Sequence, residues 1–178
     1  MNKKTIIKIH LYTAAFLLPI ILMISISGGL YLFGFKGTTV NTSIDIQSGY
    51  EFDQNSNDLD AEVKKLLSTH GLNSDFEYLK QGGNNIYTRP TSKQSFVVTA
   101  TDSSLKLTKV EPDFIKTLVE LHKGHGPTAF KTLQKFTAFG LVLILISGLI
   151  AALMNKRNRK VVGVTMSAGF LIFLFFAI

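Results

Sequence analysis

The chain contains four histidines, His10, His70, His122 and His125, and no cysteine. An imidazole can coordinate haem iron or a metal ion without any thiol. The absence of cysteine excludes disulfides, thiolate metal sites and covalent c-type haem attachment. His10 lies in Lys8-Ile9-His10-Leu11-Tyr12, at the start of a long apolar run. A histidine within a membrane helix marks function by default, and beside Lys8 it also reads as a polar anchor. His122 and His125 surround Gly124 and precede Gly126-Pro127. They read as ligands, or as a polar elbow where the chain re-enters an apolar segment. His70 ends a soluble-type helix, where a cation complements the helix dipole. Other catalytic signatures are missing: no nucleophile elbow, Gly-rich phosphate loop, His-Glu-x-x-His or dinucleotide fingerprint occurs. Gly82-Gly83 reads as a hairpin turn.

Charge placement shows what must position these residues. All 12 acidic residues lie between Asp45 and Glu120. Outside Lys36 to Lys135 the only fixed charges are Lys3, Lys4, Lys8, Lys156, Arg157, Arg159 and Lys160, which together equal the net charge of +7. Both cationic clusters border apolar runs, the positive-inside pattern of an integral membrane protein. The basic pI therefore reports topology and gives no sign of nucleic acid. A hydrocarbon core of about 30 Å takes about 20 helical residues. Residues 9–35, 129–155 and 161–178 are the candidate spans, with residues 1–8 and the 156–160 turn cytoplasmic and residues 36–128 outside. Ser25-Ile26-Ser27 also permits a cleavable signal peptide. Apolarity continuing through Leu30-Tyr31-Leu32-Phe33 favours a retained anchor.

The segment 36–128 is long enough to be a small domain. Asn57 or Asp58 can cap a helix running to His70 and stopping at Gly71, with Leu59, Val63, Leu66 and Leu67 as its apolar stripe. The period then changes to two. Strands are expected over 76–80, 86–89, 95–101 and 105–110, separated by turn chemistry at Gly82-Gly83-Asn84-Asn85, Thr91-Ser92-Lys93 and Asp102-Ser103-Ser104. A second helix opens after Glu111-Pro112-Asp113 and covers 114–123. The fold class is membrane α-helical, with three transmembrane helices and an inserted extracytoplasmic α+β domain. Its expected core is Leu59, Val63, Leu66, Phe76, Tyr78, Ile86, Phe96, Val98, Leu105 and Leu107.

The order is an apolar helix with His10 at its inner end, a helix-plus-sheet domain, Leu121-His122-Lys123-Gly124, then a helix ending Ile146-Ser147-Gly148-Leu149. This arrangement resembles the PepSY-associated transmembrane helix family of bacterial envelope proteins. Such helices start Leu-His-like and finish Thr/Ser-Gly-Leu-like. Ser27-Gly28-Gly29-Leu30 and Ser147-Gly148-Leu149 supply that finish twice. The resemblance covers nearly the whole chain, and the inserted domain would be PepSY-like. It implies a multi-pass protein of the bacterial cytoplasmic (inner) membrane with its N-terminus in the cytoplasm. Larger relatives have four or more helices and include ferric-siderophore reductases with non-covalent haem. With three helices, the expected role is an accessory or electron-transfer component of envelope redox or iron reduction, rather than a complete enzyme.

On that reading haem b is the expected cofactor, and His10, His122 and His125 are its candidate ligands. About 24 helical residues separate His10 from the outer end of its helix, some 36 Å. His10 and His122 of one chain therefore cannot clamp one iron, and His122 and His125 are too close in sequence to reach opposite faces of one porphyrin. A bis-histidine site would need a second subunit, and a mixed site could use Met154 or Met166. Expected partners are the bilayer, a second copy of the chain, or another membrane redox or iron-uptake protein. The competing reading is a non-enzymatic interaction or regulatory module whose outer domain binds an envelope partner.

Overall fold

The computed structural model describes residues 2–46, 50–101 and 104–178. Five helices and five strands follow one another: α1 (Lys3–Leu32), β1 (Thr39–Ile44), α2 (Leu59–Thr69), β2 (Tyr78–Gly82), β3 (Asn85–Arg89), β4 (Ser95–Thr101), β5 (Ser104–Pro112), α3 (Phe114–His122), α4 (Thr128–Leu153) and α5 (Arg159–Ala177). Three of these helices, α1, α4 and α5, are long and apolar enough to cross a membrane. Each sits close to its expected span. Helix α1 begins earlier than residue 9, because Lys3, Lys4 and Lys8 are themselves helical. Pro19 lies inside α1, as lipid-embedded helices tolerate.

The chain divides into two compact units. The first comprises Met1–Ile21 and Lys135–Ile178, the second Leu22–Gln134. In the first, α1 and α4 meet at small residues. The Leu17 side chain lies over Gly140, where an added Cβ would overlap it, the kind of contact a glycine admits between membrane helices. Thr137 and Gly140 are buried on α4, while α5 buries none of its residues. Arg159 donates from Nε to the Leu153 carbonyl at 2.7 Å, closing the turn between α4 and α5.

The second unit holds an antiparallel sheet in the order β1-β5-β4-β3-β2. Helix α2 starts at Asp58, whose carboxylate accepts from the Ala61 amide at 3.1 Å, and it stops before Gly71, which has a φ of +67°. Val63, Leu66 and Leu67 form the stripe that covers the sheet, against Ile86, Phe96, Val98 and Leu107. The register pairs Ile86 with Val98, and Val98 with Leu107, so all three share one face. Leu59, Phe76 and Leu105 pack around this core. Tyr78 does not belong to it. It pairs with Arg89, which puts it on the opposite face, where its hydroxyl receives a hydrogen bond from Lys131.

Two elements depart from the sequence reading. Strand β1 was not expected. It pairs along its whole length with β5, from Thr39 opposite Pro112 to Ile44 opposite Leu107. Its four central residues are exposed, so no buried face imposes a period of two. Strand β2 begins at Tyr78 rather than residue 76, leaving Phe76 in the preceding loop but on the core. Of the expected Asp102-Ser103-Ser104 turn, Asp102 and Ser103 lie outside the described residues.

Candidate functional site

Each unit contains a histidine docked on an Ile-Ser-Gly segment of another helix. In the first unit His10 of α1 meets Ile146-Ser147-Gly148 of α4. Its Nδ1 lies 3.0 Å from the Ile144 carbonyl oxygen and 3.2 Å from Ser147 Oγ. The ring covers Gly148, where a Cβ would come 3.0 Å from His10 Cε1. In the second unit His122 of α3 meets Ile26-Ser27-Gly28 of α1. Its Nδ1 lies 2.9 Å from the Ile24 carbonyl oxygen, and a Cβ at Gly28 would come 2.8 Å from His122 Cε1. Both imidazoles thus reach the carbonyl four residues before a glycine and lie over that glycine.

A carbonyl can only accept, so each Nδ1 carries the proton and donates it. The other nitrogen, Nε2, is then the one with a lone pair. At neither histidine does Nε2 hydrogen-bond to a described residue. An acceptor such as a backbone carbonyl on Nδ1–H is the usual arrangement for an imidazole that ligates through Nε2. Glycine matters sterically, since any side chain there would push the ring off its carbonyl.

His125 behaves differently. Its Nδ1 lies 2.7 Å from Glu120 Oε2, inside a polar knot joining α3 to the β3–β4 connection. Thr91 donates to Glu120 Oε2 at 2.7 Å, and Arg89 donates to Thr91 at 2.8 Å. Lys116 and Lys123 sit 3.3 and 3.2 Å from Glu120 Oε1. Burial alone would raise the Glu120 carboxyl, but the hydrogen bonds from Thr91 and His125 and the Lys123 charge outweigh it and lower its pKa from 4.5 to about 2. The His125 imidazole is held below its usual 6.5, chiefly by burial and then by the Arg89 and Lys123 charges, against the opposing pull of Glu120. At neutral pH His125 is therefore a neutral donor to an ionised Glu120. Arg89 is nine-tenths buried, and its Nε has no hydrogen-bond partner.

The sequence nominated His10, His122 and His125. The structure places the first two in matching docks and the third in the knot. His70 bonds its own helix, Nδ1 to the Leu66 carbonyl at 2.8 Å, in keeping with its reading as a helix-end residue. Sequence reasoning did not find Arg89, Thr91 or Glu120 as a group, because nothing local links positions on β3, its following turn and α3. The repeated Ser-Gly finish of the two helices was visible, but its pairing with the histidines was not. Among the described residues, no group of three or more His, Cys, Asp or Glu is placed to hold a metal ion.

No family model matches this chain, and no curated protein or solved structure is detectably similar to it.

Proposed function

We propose that this is a small PepSY-type protein of the bacterial cytoplasmic membrane that serves as an accessory electron-transfer component in envelope redox or iron reduction. The observation that carries the reading is the repeated dock. Twice, an imidazole is fixed through Nδ1 on a helix carbonyl, with Nε2 left to coordinate. Non-covalent haem b would fit this donor chemistry, with Nε2 of His10 able to hold it at one site and Nε2 of His122 at another. When bound it supplies one-electron chemistry. The chain's own residues then have definite tasks. The Ile144 and Ile24 carbonyls fix the tautomer and orient each ring. Gly148 and Gly28 admit the ring to its carbonyl. The knot around Glu120 anchors the segment that follows His122.

The test is the visible spectrum of the full chain, purified in detergent after expression with ample haem. A Soret band extractable by acidified organic solvent is expected. His10→Ala and His122→Ala should each remove part of it, and His70→Ala should remove none. Absence of the band in the unaltered protein overturns the reading.

One feature favours the second reading, a non-enzymatic interaction module. Each imidazole already fills the notch above its glycine, so the docks also work as helix-packing locks. If no haem is found, the outer domain becomes the functional part, capturing an envelope partner, and His10→Ala and His122→Ala should leave that capture unchanged.

Orientation is part of the proposal: N-terminus inside, residues 36–128 outside. Cysteine labelling from outside should reach Lys106→Cys, which is exposed on β5, and should miss Asn158→Cys. The reverse pattern would sink it. Ser92 is buried and is unsuitable as the outer probe.

A further inference from the structure

We infer that α3 is an interfacial helix seated in the outer leaflet, so that the outer domain rests on the lipid surface through Phe114, Ile115 and Phe35. The inference rests on the membrane reading of α1 and is independent of the histidine chemistry.

Both ends of α3 are tied to the chain at the outer end of α1. At its start, Asp113 accepts from the Thr38 amide at 2.8 Å and from the Thr38 hydroxyl at 2.7 Å, and its own amide donates to the Thr38 carbonyl at 3.0 Å. Gly37 packs so closely on Lys116 that a Cβ there would overlap it. At its end, His122 lies over Gly28 and bonds the Ile24 carbonyl at 2.9 Å. Helix α3 is therefore held at both ends by the segment from Ile24 to Thr38, which includes the last turns of α1.

Those turns lie at the edge of the bilayer. Helix α1 has 30 residues, about 45 Å, against a hydrocarbon core of about 30 Å. With Lys3, Lys4 and Lys8 in the inner headgroups, the core ends near Gly28, and the residues beyond lie in the outer interface. Tyr31, with the Lys36 ammonium 5.4 Å from its ring centroid, matches the aromatic and cationic belt found at that depth.

The faces of α3 are arranged for this position. Glu120 is turned into the polar knot, and Lys116 pairs with it. Asp113 is engaged by Thr38. Phe114 is 76% exposed and Ile115 36%, while Phe35 and Phe33, just past the end of α1, are 60% and 84% exposed. A helix with its charges satisfied on one side and bare aromatics on the other lies in an interface plane. Lipid is the occupant the geometry selects, because Phe33 and Phe35 follow directly on α1, an apolar helix whose own side chains are mostly uncovered.

The chain contains no tryptophan, so a single introduced one reports alone. Phe114→Trp and, separately, Phe35→Trp replace exposed side chains and remove no buried contact. Each full-length variant is reconstituted in phosphatidylcholine vesicles with or without brominated acyl chains. At least a twofold loss of emission is expected, larger for bromines near the headgroup than for deep ones, with little quenching by acrylamide. Lys106→Trp, six residues up β5 from Pro112, should show the reverse. Phe16→Trp, on α1, tests the membrane reading itself and should be quenched by brominated lipid. If Phe16→Trp is quenched while the Phe114 and Phe35 variants respond only to acrylamide, the domain stands clear of the bilayer and the inference fails. If those two variants are shielded from both quenchers, a protein surface covers the patch, and the inference fails in favour of a second copy or another partner.

Discussion

The two histidine docks share one geometry but differ in what holds them. At His10 the serine before the glycine takes part, with Ser147 Oγ 3.2 Å from Nδ1. At His122 the serine turns back to its own helix, Ser27 Oγ donating at 2.7 Å to the Met23 carbonyl and 3.1 Å to the Ile24 carbonyl. His10 contacts uncharged residues of α4, Ile144, Ser147 and Gly148. His122 stands on the same helix as Glu120 but two residues further on, and so on a different face from the polar knot. The same imidazole-on-glycine contact thus lies between two long apolar helices in one unit, and in the other on the short helix that also carries the polar knot. The knot on α3 contains groups whose titration is shifted, so the unit that holds it should respond to acid.

The largest separation between the docks is expected from Glu120→Ala. It strips the buried Arg89 of its counter-charge and Thr91 of its acceptor, and breaking a buried pair in this way costs about 3 kcal/mol or more. Denaturant unfolding of the sheet domain, followed by proteolysis at the β3–β4 turn, should shift accordingly, while the His10 dock stays unchanged. Equal disruption of both docks would erase the distinction.

Acid should separate them next. The folded pKa of Glu120 is depressed, so its stabilisation is complete above the unfolded value of 4.5 and is lost as pH falls toward about 2. Glu77 and Asp113, also lowered by hydrogen bonds from Thr128 and from Lys116 and Thr38, act in the same direction. His125 is lowered as well. The unfolded chain therefore binds more protons than the folded one just below pH 6.5, and stability also declines there as pH falls. The unit that holds the sheet should weaken in two stages on acidification. Thermal unfolding between pH 8 and 3 checks this, and Glu120→Gln should remove most of the lower stage.

Glycine substitution tests what the docks share. Gly28→Ala and Gly148→Ala each force a ring away from its carbonyl, an overpacking penalty of about 1–3 kcal/mol. Gly28→Ala should cost more, since its approach of 2.8 Å is tighter than the 3.0 Å at Gly148. The smallest effect belongs to the serines. Ser147→Ala removes one partner of His10, worth about 0.6 kcal/mol for a hydrogen bond in a membrane helix bundle. Ser27→Ala should leave His122 in place. Imidazole nitrogen shifts measured by NMR would show whether only His10 responds.

Much of the architecture was legible in the chain because it depends on local composition. Helix α2 follows from the Asp58 cap, the Val63-Leu66-Leu67 stripe and Gly71. Strands β3 to β5 alternate because one face meets α2. Strand β1 escaped notice because it is an exposed edge. Tyr78 was misassigned to the core because strand β2 starts later than its period suggests, which reverses the face on which that side chain stands.

The sequence by itself determined the separation of charge and the three apolar helices, because insertion into lipid depends on length, hydropathy and flanking cations. It also marked the histidines, since ionisable groups beside apolar runs are costly to place. Only the tertiary structure decided which partner each found. His10 reaches a carbonyl 134 positions away and His122 one 98 positions away, and His125, three residues beyond His122, turns to Glu120 instead. Such pairings are fixed by where helices cross and where a glycine lets a ring approach the backbone. No local pattern encodes them.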